Sequence, residues 1–402
     1  MLVALAALTA ASTALVACGS GGGSAGGGGQ STIVIGNEAD LTGNATVGVP
    51  GNYGVKFAVQ QINAHGGIDG HQLDLKTEDS AGSAAGGAAA VRRLVEADGA
   101  QAIVATASSD AMVPAVPAAQ SRSVPFVVSA GSDPVLVAPA NTFVFMSPAV
   151  PVNIDVQEYL KFLAAHHFTN VALVATTAAF ASAAVQDFKS GAPAAGVRLA
   201  TVQTFGATDT DFSAQVKAVQ DSHADAMFVI GDFTGNVMKA ALNAGVKLPT
   251  LYDASATDPL LIKSIGAGSE GLISFQTQAK QLLDANTGAM ATWKADFTKA
   301  FPNPPAGVPS QFSLQGYQTT FILAEAIKKA LAKGGDVTGS SIRDAMQTIS
   351  GFELGVTDFP YAAPIGYPVT FSARDHAGNA TVTPVQVKNG VFVPIPESAG
   401  GQ

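Results

Sequence analysis

Two serines and two aspartates stand where a folded chain can use them. Ser108-Ser109 follows the apolar run Ala102-Ile103-Val104-Ala105 and precedes the helically spaced run Ala111–Gln120. A helix start offers unpaired backbone N–H groups and the positive end of the helix dipole, which favour a carboxylate. A serine hydroxyl adds a further donor; one of the two serines could instead simply cap the helix. Ser129-Ala130-Gly131-Ser132 follows the run ending at Val128, at the same strand end, where a plain turn is the other reading. Asp232 follows the run ending at Ile230, and Asp253 follows Tyr252. Ligands of open α/β sheets bind beyond the carboxyl ends of strands. Both carboxylates are therefore candidates to pair with an amino group, although helix capping also accounts for Asp232. The chemistry implied is reversible capture of a small polar molecule.

Other chemistry finds no support. No Gly-x-Ser-x-Gly elbow lies at a strand-to-helix turn. The glycine-rich stretch Gly19–Gly29 precedes the first strand, so it is not a phosphate or dinucleotide loop. The six histidines (His65, His71, His166, His167, His223 and His376) make no metal-ligand spacing with a second His or Cys. Cys18 is the only cysteine, which excludes an internal disulfide. The net charge is −9 and no basic run occurs, so a nucleic-acid partner is not expected. Neither catalysis, nor a metal, nor a cofactor is expected.

The positioning elements follow from pattern. The chain has 402 residues, of which 47% are hydrophobic and 13% charged. That is enough for a large core, and the length suggests two lobes. Apolar β-branched runs at Thr32–Gly36, Gln72–Lys76, Ala102–Ala105, Pro125–Val128 and Thr142–Met146 read as strands. So do Val171–Ala175, Arg198–Thr204, Ala226–Ile230 and Thr250–Tyr252. Helical spacing lies between them, at Tyr53–Ala64, Ala84–Ala97, Val152–His166, Ser182–Ser190, Phe212–Asp221 and Val237–Ala244. Alternation of this kind means parallel sheets covered by helices. Three helices follow, at Thr292–Ala300, Phe312–Leu331 and Ser341–Gln347. Strands end the chain at Val369–Phe371, Val382–Lys388 and Val391–Ile395, with Asn389-Gly390 as a hairpin turn.

The amino terminus reads as an address. Leu2–Val16 is too short to span a bilayer comfortably but suits the core of a signal peptide over residues 1–17. Leu15-Val16-Ala17-Cys18 resembles the lipobox of bacterial lipoproteins, which implies lipid on Cys18. The first Lys or Arg is Lys56, so the usual basic start is missing. Residues 18–31 then form a Gly/Ser tether.

Several strings resemble the branched-chain amino-acid-type family of type I periplasmic solute-binding proteins. They are Ile35-Gly36, Leu41-Thr42-Gly43, Gly54, Ile62-Asn63-Ala64-His65-Gly66-Gly67-Ile68-Asp69-Gly70, Glu78-Asp79-Ser80, Ser108-Ser109, Asp211-Phe212-Ser213 and Gln386–Phe392. The likeness runs from Thr32 to Ile395, and Asn63–Gly70 is its most specific part. It implies an α/β fold of two lobes, each a mostly parallel sheet flanked by helices, with ligand in the cleft and closure about a hinge. By resemblance, residues 32–149 and 277–349 form one lobe, 150–276 and 350–396 the other, and 397–402 a tail. Gly131 and Ser132 match positions that contact a bound amino acid. Phe180 stands where many relatives have a ligand-contacting tyrosine, and Val47 where an aromatic is common; these departures loosen α-amino-acid specificity. The implied role is an exported, lipid-anchored substrate-binding protein that captures an amino acid or a related amide or carboxylate. It would be a monomer that serves ABC permease and ATPase subunits on the outer face of the membrane. A ligand-binding sensory protein for a separate receptor or kinase is the alternative.

Overall fold

A computed structural model describes residues 32–43, 45–231, 234–256, 259–286, 288–357, 359–378 and 380–395. The expected signal peptide, Cys18, its tether, the tail and Asp232 lie outside the described residues. The chain opens with β1 (Ile33–Ala39), α1 (Ala45–Ala64), β2 (Leu73–Asp79), α2 (Ala84–Glu96), β3 (Ala102–Ala105), α3 (Ser109–Ser121), β4 (Phe126–Val128) and β5 (Val144–Met146). These strands pair in parallel in the order β2-β1-β3-β4-β5.

A second alternating run follows. It comprises α4 (Val152–Ala165), β6 (Asn170–Thr176), α5 (Ala179–Gly191), β7 (Arg198–Phe205), α6 (Ser213–Asp221), β8 (Ala226–Ile230), α7 (Gly235–Asn243), β9 (Thr250–Tyr252), α8 (Pro259–Ile265) and β10 (Ile273–Thr277). Helices α9 (Gln278–Ala285), α10 (Ala289–Ala300), α11 (Gln311–Ala332) and α12 (Gly339–Met346) come next, and β11 (Val382–Lys388) with β12 (Val391–Pro394) ends the fold. The second sheet runs β12-β11-β10-β9-β8-β6-β7 and is parallel except at β11 and β12. Asn389 and Gly390 both take positive φ, as the two-residue hairpin between these strands requires.

Each sheet is covered on both faces. Apolar side chains of α1, α11 and α12 pack on one face of the first sheet, and those of α2 and α3 on the other. In the second sheet α4 and α5 cover one face, α6 and α7 the other. Buried helices on both faces explain why the strands read as continuous apolar runs rather than as alternation. Among the described residues, no helix is long and apolar enough to cross a membrane.

Two glycines set how closely the helices of the first lobe approach. A Cβ on Gly54 of α1 would lie 1.8 Å from Ser313 O of α11, and one on Gly316 would lie 2.5 Å from Gly51 O. The α1–α11 contact is thus backbone on backbone, which brings the amino-terminal turns of α11 to the edge of the cleft. The Asn63–Gly70 string has an equally local reason. Asn63 exchanges two hydrogen bonds of 2.8 Å with the Leu73 backbone, and Gly67, with positive φ, closes α1 by donating to Ile62 O.

One expected boundary moves. Residues 350–378 were expected in the second lobe, but Phe352, Leu354, Ile365, Val369 and Phe371 are buried in the core of the first. The chain enters the second sheet only at Val382, after Gly378 has bonded to Met146 O of β5. The apolar side chains of this irregular segment find cover on α11 and α12, so it remains with the first lobe. Val369–Phe371, expected as a strand, makes only an isolated bridge from Val369 to Phe352.

Candidate functional site

The carboxyl ends of the strands in both sheets face a common cleft that encloses a cavity of about 90 Å³. Ser108, Ser109, Gly131, Ser132, Phe180 and Asp253 all line it. The fold thus brings together every expected site residue that lies within the described segments. Val47 also lines it.

The first lobe supplies donors. Ser108 is the N-cap residue of α3 and lines the cavity; its side chain makes no capping bond and is held by Asp40 instead. Its own N–H donates to Asp40 (2.8 Å), which also accepts from Gly82 N–H (3.0 Å) and from Ser80 Oγ. Asp40 therefore holds the strand-to-helix turn in place. Ser109 is buried, and its Oγ accepts from the N–H groups of Ser132 (3.1 Å) and Asp133 (3.2 Å). A hydroxyl oxygen has two lone pairs and one proton. With both lone pairs engaged, Ser109 can only donate, so its natural partner is an acceptor such as a carboxylate. A Cβ on Gly131 would lie 2.7 Å from Met112 Sδ and 3.3 Å from Ser109 Oγ, so a larger residue would have to displace the Met112 side chain and crowd the Ser109 hydroxyl.

The second lobe supplies negative charge, including a residue the sequence reading missed. Asp155, in the first turn of α4, lines the cavity, is buried, and has no partner for Oδ1. Burial first, and then the neighbouring Asp253 and Glu158 carboxylates, hold its pKa well above the usual range. Asp253 is also buried and accepts from Ser255 Oγ (2.8 Å). Tyr159, one helical turn beyond Asp155, accepts from Ala254 N–H (3.0 Å) and so ties α4 to the loop that carries Asp253. Burial, followed by these two carboxylates, pushes its phenol pKa up. Among the described residues, none that lines the cavity is Lys, Arg or His. Two desolvated carboxylates in such a lining make a place for a positive group.

The remaining wall is largely apolar, with Val150, Val152, Phe180, Phe312 and Val382 around the cavity. Phe180 offers a ring face and no hydroxyl. Gln315, near the start of α11, is a second lining residue the sequence did not single out; its Oε1 is buried and unpartnered. Two residues before Asp40, Glu38 is fully buried, with the Ser80 hydroxyl its polar neighbour. Burial, with Asp40 nearby, pushes its pKa up to about 8, so this side chain is largely neutral at pH 7. Among the described residues no group of three or more His, Cys, Asp or Glu could hold a metal ion.

A cleft between two α/β lobes, with donors on one wall and carboxylates on the other, is the geometry of a solute receptor. The family model described as periplasmic binding protein matches residues 32–391. The chain belongs to that family. A periplasmic binding protein binds its solute and does no chemistry on it, and the branched-chain amino-acid-type likeness extends to its relatives. A leucine-, isoleucine-, valine-, threonine- and alanine-binding protein of Pseudomonas aeruginosa is 21% identical over 280 residues, covering 69% of this chain and 72% of the relative. A Leu/Ile/Val-binding protein of Rhizobium johnstonii is 24% identical over 330 residues, covering 78% and 84%. Among solved structures, the branched-chain amino acid transporter substrate-binding protein of Streptococcus pneumoniae, in complex with isoleucine, superposes with a TM-score of 0.72. It is 21% identical and covers 90% of this chain and 100% of that one, a likeness that establishes the two-lobed fold.

Proposed function

We propose that this periplasmic binding protein captures a small α-amino acid with an apolar side chain, of the branched-chain class, outside the cytoplasm. The observation that carries the reading is the division of charge across the cleft. The acceptor-saturated Ser109 hydroxyl and the α3 amino terminus suit the ligand carboxylate. Opposite them, Asp155 and Asp253 suit the ammonium. Size supports the same class. A cavity of about 90 Å³ suits a small solute, and the valines and Phe180 of its wall would receive an apolar side chain. Micromolar capture corresponds to roughly −8 kcal/mol, within reach of several charge-assisted hydrogen bonds in a dry cleft.

The test is calorimetric titration of the twenty amino acids with their amides and decarboxylated amines. Leucine, isoleucine or valine is expected to bind at micromolar concentration, and leucinamide and isopentylamine much more weakly. Isopentylamine binding as tightly as leucine would refute the carboxylate subsite. Silence across the panel from a folded protein would refute the reading.

The captured solute would pass to ABC permease and ATPase subunits, with the body held at the membrane by lipid on Cys18. Support for the anchor is the placement of the only cysteine directly after an apolar run and before a Gly/Ser tether. Cys18→Ala is expected to move the protein from the membrane fraction of its native host to the soluble fraction. Retention on the membrane would sink this part of the proposal.

A further inference from the structure

A hydrogen bond between helices α3 and α5 crosses from one lobe to the other beside the cavity. Asp110, the second residue of α3 in the first lobe, accepts the N–H of Ala179, the first residue of α5 in the second (3.1 Å). The residue that should cap α5 is Ala178, which has no side-chain acceptor. An alanine N-cap leaves the first N–H groups of a helix without a protein partner. Asp110 supplies across the cleft the acceptor that α5 lacks in its own sequence.

The neighbours on each side make the contact more than a surface bond. Asp110 follows Ser109, the donor placed against the ligand carboxylate, and Ala179 precedes Phe180, part of the cavity wall. The bond therefore fixes the two ligand-bearing turns against each other. It can exist only while the lobes are together. When they part, the carboxylate and the N–H both return to water, and the contact contributes nothing to the open form. A contact made only in the closed state raises the affinity of any ligand that needs closure, by the amount it favours closing.

We infer that Asp110 is a positioning residue for ligand capture: it caps α5 from the opposite lobe and holds the cleft shut without touching the solute. The inference rests on the capture reading for its ligand, and leucine serves as the probe. An exposed N-cap acceptor is worth about a fivefold change in an equilibrium constant.

The full-length protein and its Asp110→Ala, Asp110→Asn and Asp110→Ala/Ala178→Ser variants would be compared by leucine binding kinetics, melting without ligand, and amide exchange at Ala179. Asp110→Ala is expected to bind leucine about fivefold more weakly, with the loss in the dissociation rate. Its unliganded melting temperature should be unchanged, and exchange at Ala179 in the leucine-bound protein should be faster. Asp110→Asn keeps an acceptor oxygen and should stay within about twofold of the native protein. Ala178→Ser gives α5 a cap of its own in the open and closed forms alike, so it should leave the loss in leucine affinity unrecovered. Unchanged leucine dissociation and unchanged Ala179 exchange in Asp110→Ala would overturn the inference. So would a lowered unliganded melting temperature with no change in dissociation. If the native protein does not bind leucine, the ligand reading fails by itself. Asp110 is then tested with whichever amino acid of the calorimetric panel does bind, by the same comparison of dissociation rate and of Ala179 exchange in the bound protein.

Discussion

Asp155→Asn is expected to weaken leucine binding by about a hundredfold and yet to leave the unliganded protein no less stable at pH 7. The loss of affinity follows from removing one member of a desolvated charge pair, which costs roughly 2–5 kcal/mol. The stability expectation comes from linkage. The folded-state pKa of Asp155 is raised, because burial and the Asp253 carboxylate disfavour its charged form. A carboxyl with a raised folded pKa binds its proton more tightly folded than unfolded. The stability it contributes is complete below its ordinary value of 3.8 and is lost as pH rises through the folded value. At pH 7 the native side chain either keeps a proton that the unfolded chain would release or carries a charge with one oxygen unpartnered. Asparagine has the same shape and no charge, and escapes both costs. Melting scans should show the variant equal to or above the native protein at pH 7, with the difference shrinking towards pH 4. A variant that melts lower and binds leucine normally would make Asp155 a structural residue and return the ammonium to Asp253 alone.

The reason Asp155 escaped notice is instructive, since the signal was present. Val152, Val156, Tyr159, Leu160 and Leu163 form the buried stripe of α4, and Asp155 lies within it, three residues after Val152 and four before Tyr159. A lone carboxylate on an apolar helix face is costly unless something pairs with it. Ser108, Ser109 and Asp253 were legible because each directly follows a clear strand, and strand ends are where such sheets bind ligands. What the Ser109 hydroxyl does was not legible, because its lone pairs are taken by amides more than twenty residues downstream. Gln315 was hidden for another reason: α11 is buried along most of its length, so no polar face marks which side chain meets the cleft.

The fold shows the same division between local and tertiary causes. Apolar β-branched runs located the strands of both sheets except β10. That strand, Ile273–Thr277, carries Ser274 and Gln276, which are buried but polar, and Ser274 Oγ is satisfied by Asp253 O (3.0 Å) from the neighbouring chain segment. Only the assembled sheet makes those residues acceptable in a core. Helix α1 begins eight residues before the expected start at Tyr53. The added turns hold Gly48, Pro50 and Gly51, and a Cβ on Gly48 would meet Asp40 O at 2.2 Å, so that glycine serves a close approach. Residues 352–371 have no periodicity to read, and their place in the first core is decided by what covers their apolar side chains.

The second large effect expected is on pH. Leucine affinity should rise with pH by up to tenfold per unit from about pH 4 upward, and flatten once Asp155 is ionised in the free protein. Below that point the unliganded cleft holds a proton at Asp155, because that side chain is buried beside Asp253 and, among the described residues, the lining offers no basic group. An ammonium entering between them supplies the missing positive charge and favours both ionised forms, so the proton must leave. Binding then releases close to one proton, and the slope of log affinity against pH equals the number released. Calorimetry in two buffers of different ionisation enthalpy at a single pH measures that number directly. The sign discriminates between arrangements. A ligand whose carboxylate lay against Asp155 would take up a proton on binding, and its affinity would fall as pH rose. A ligand with its ammonium elsewhere would show neither effect. Asp155→Asn should abolish most of the release, since Asp155 is the carboxyl whose pKa the cleft holds well above the usual range. A release near one proton in the native protein and near zero in the variant would tie the ammonium subsite to this pair of side chains.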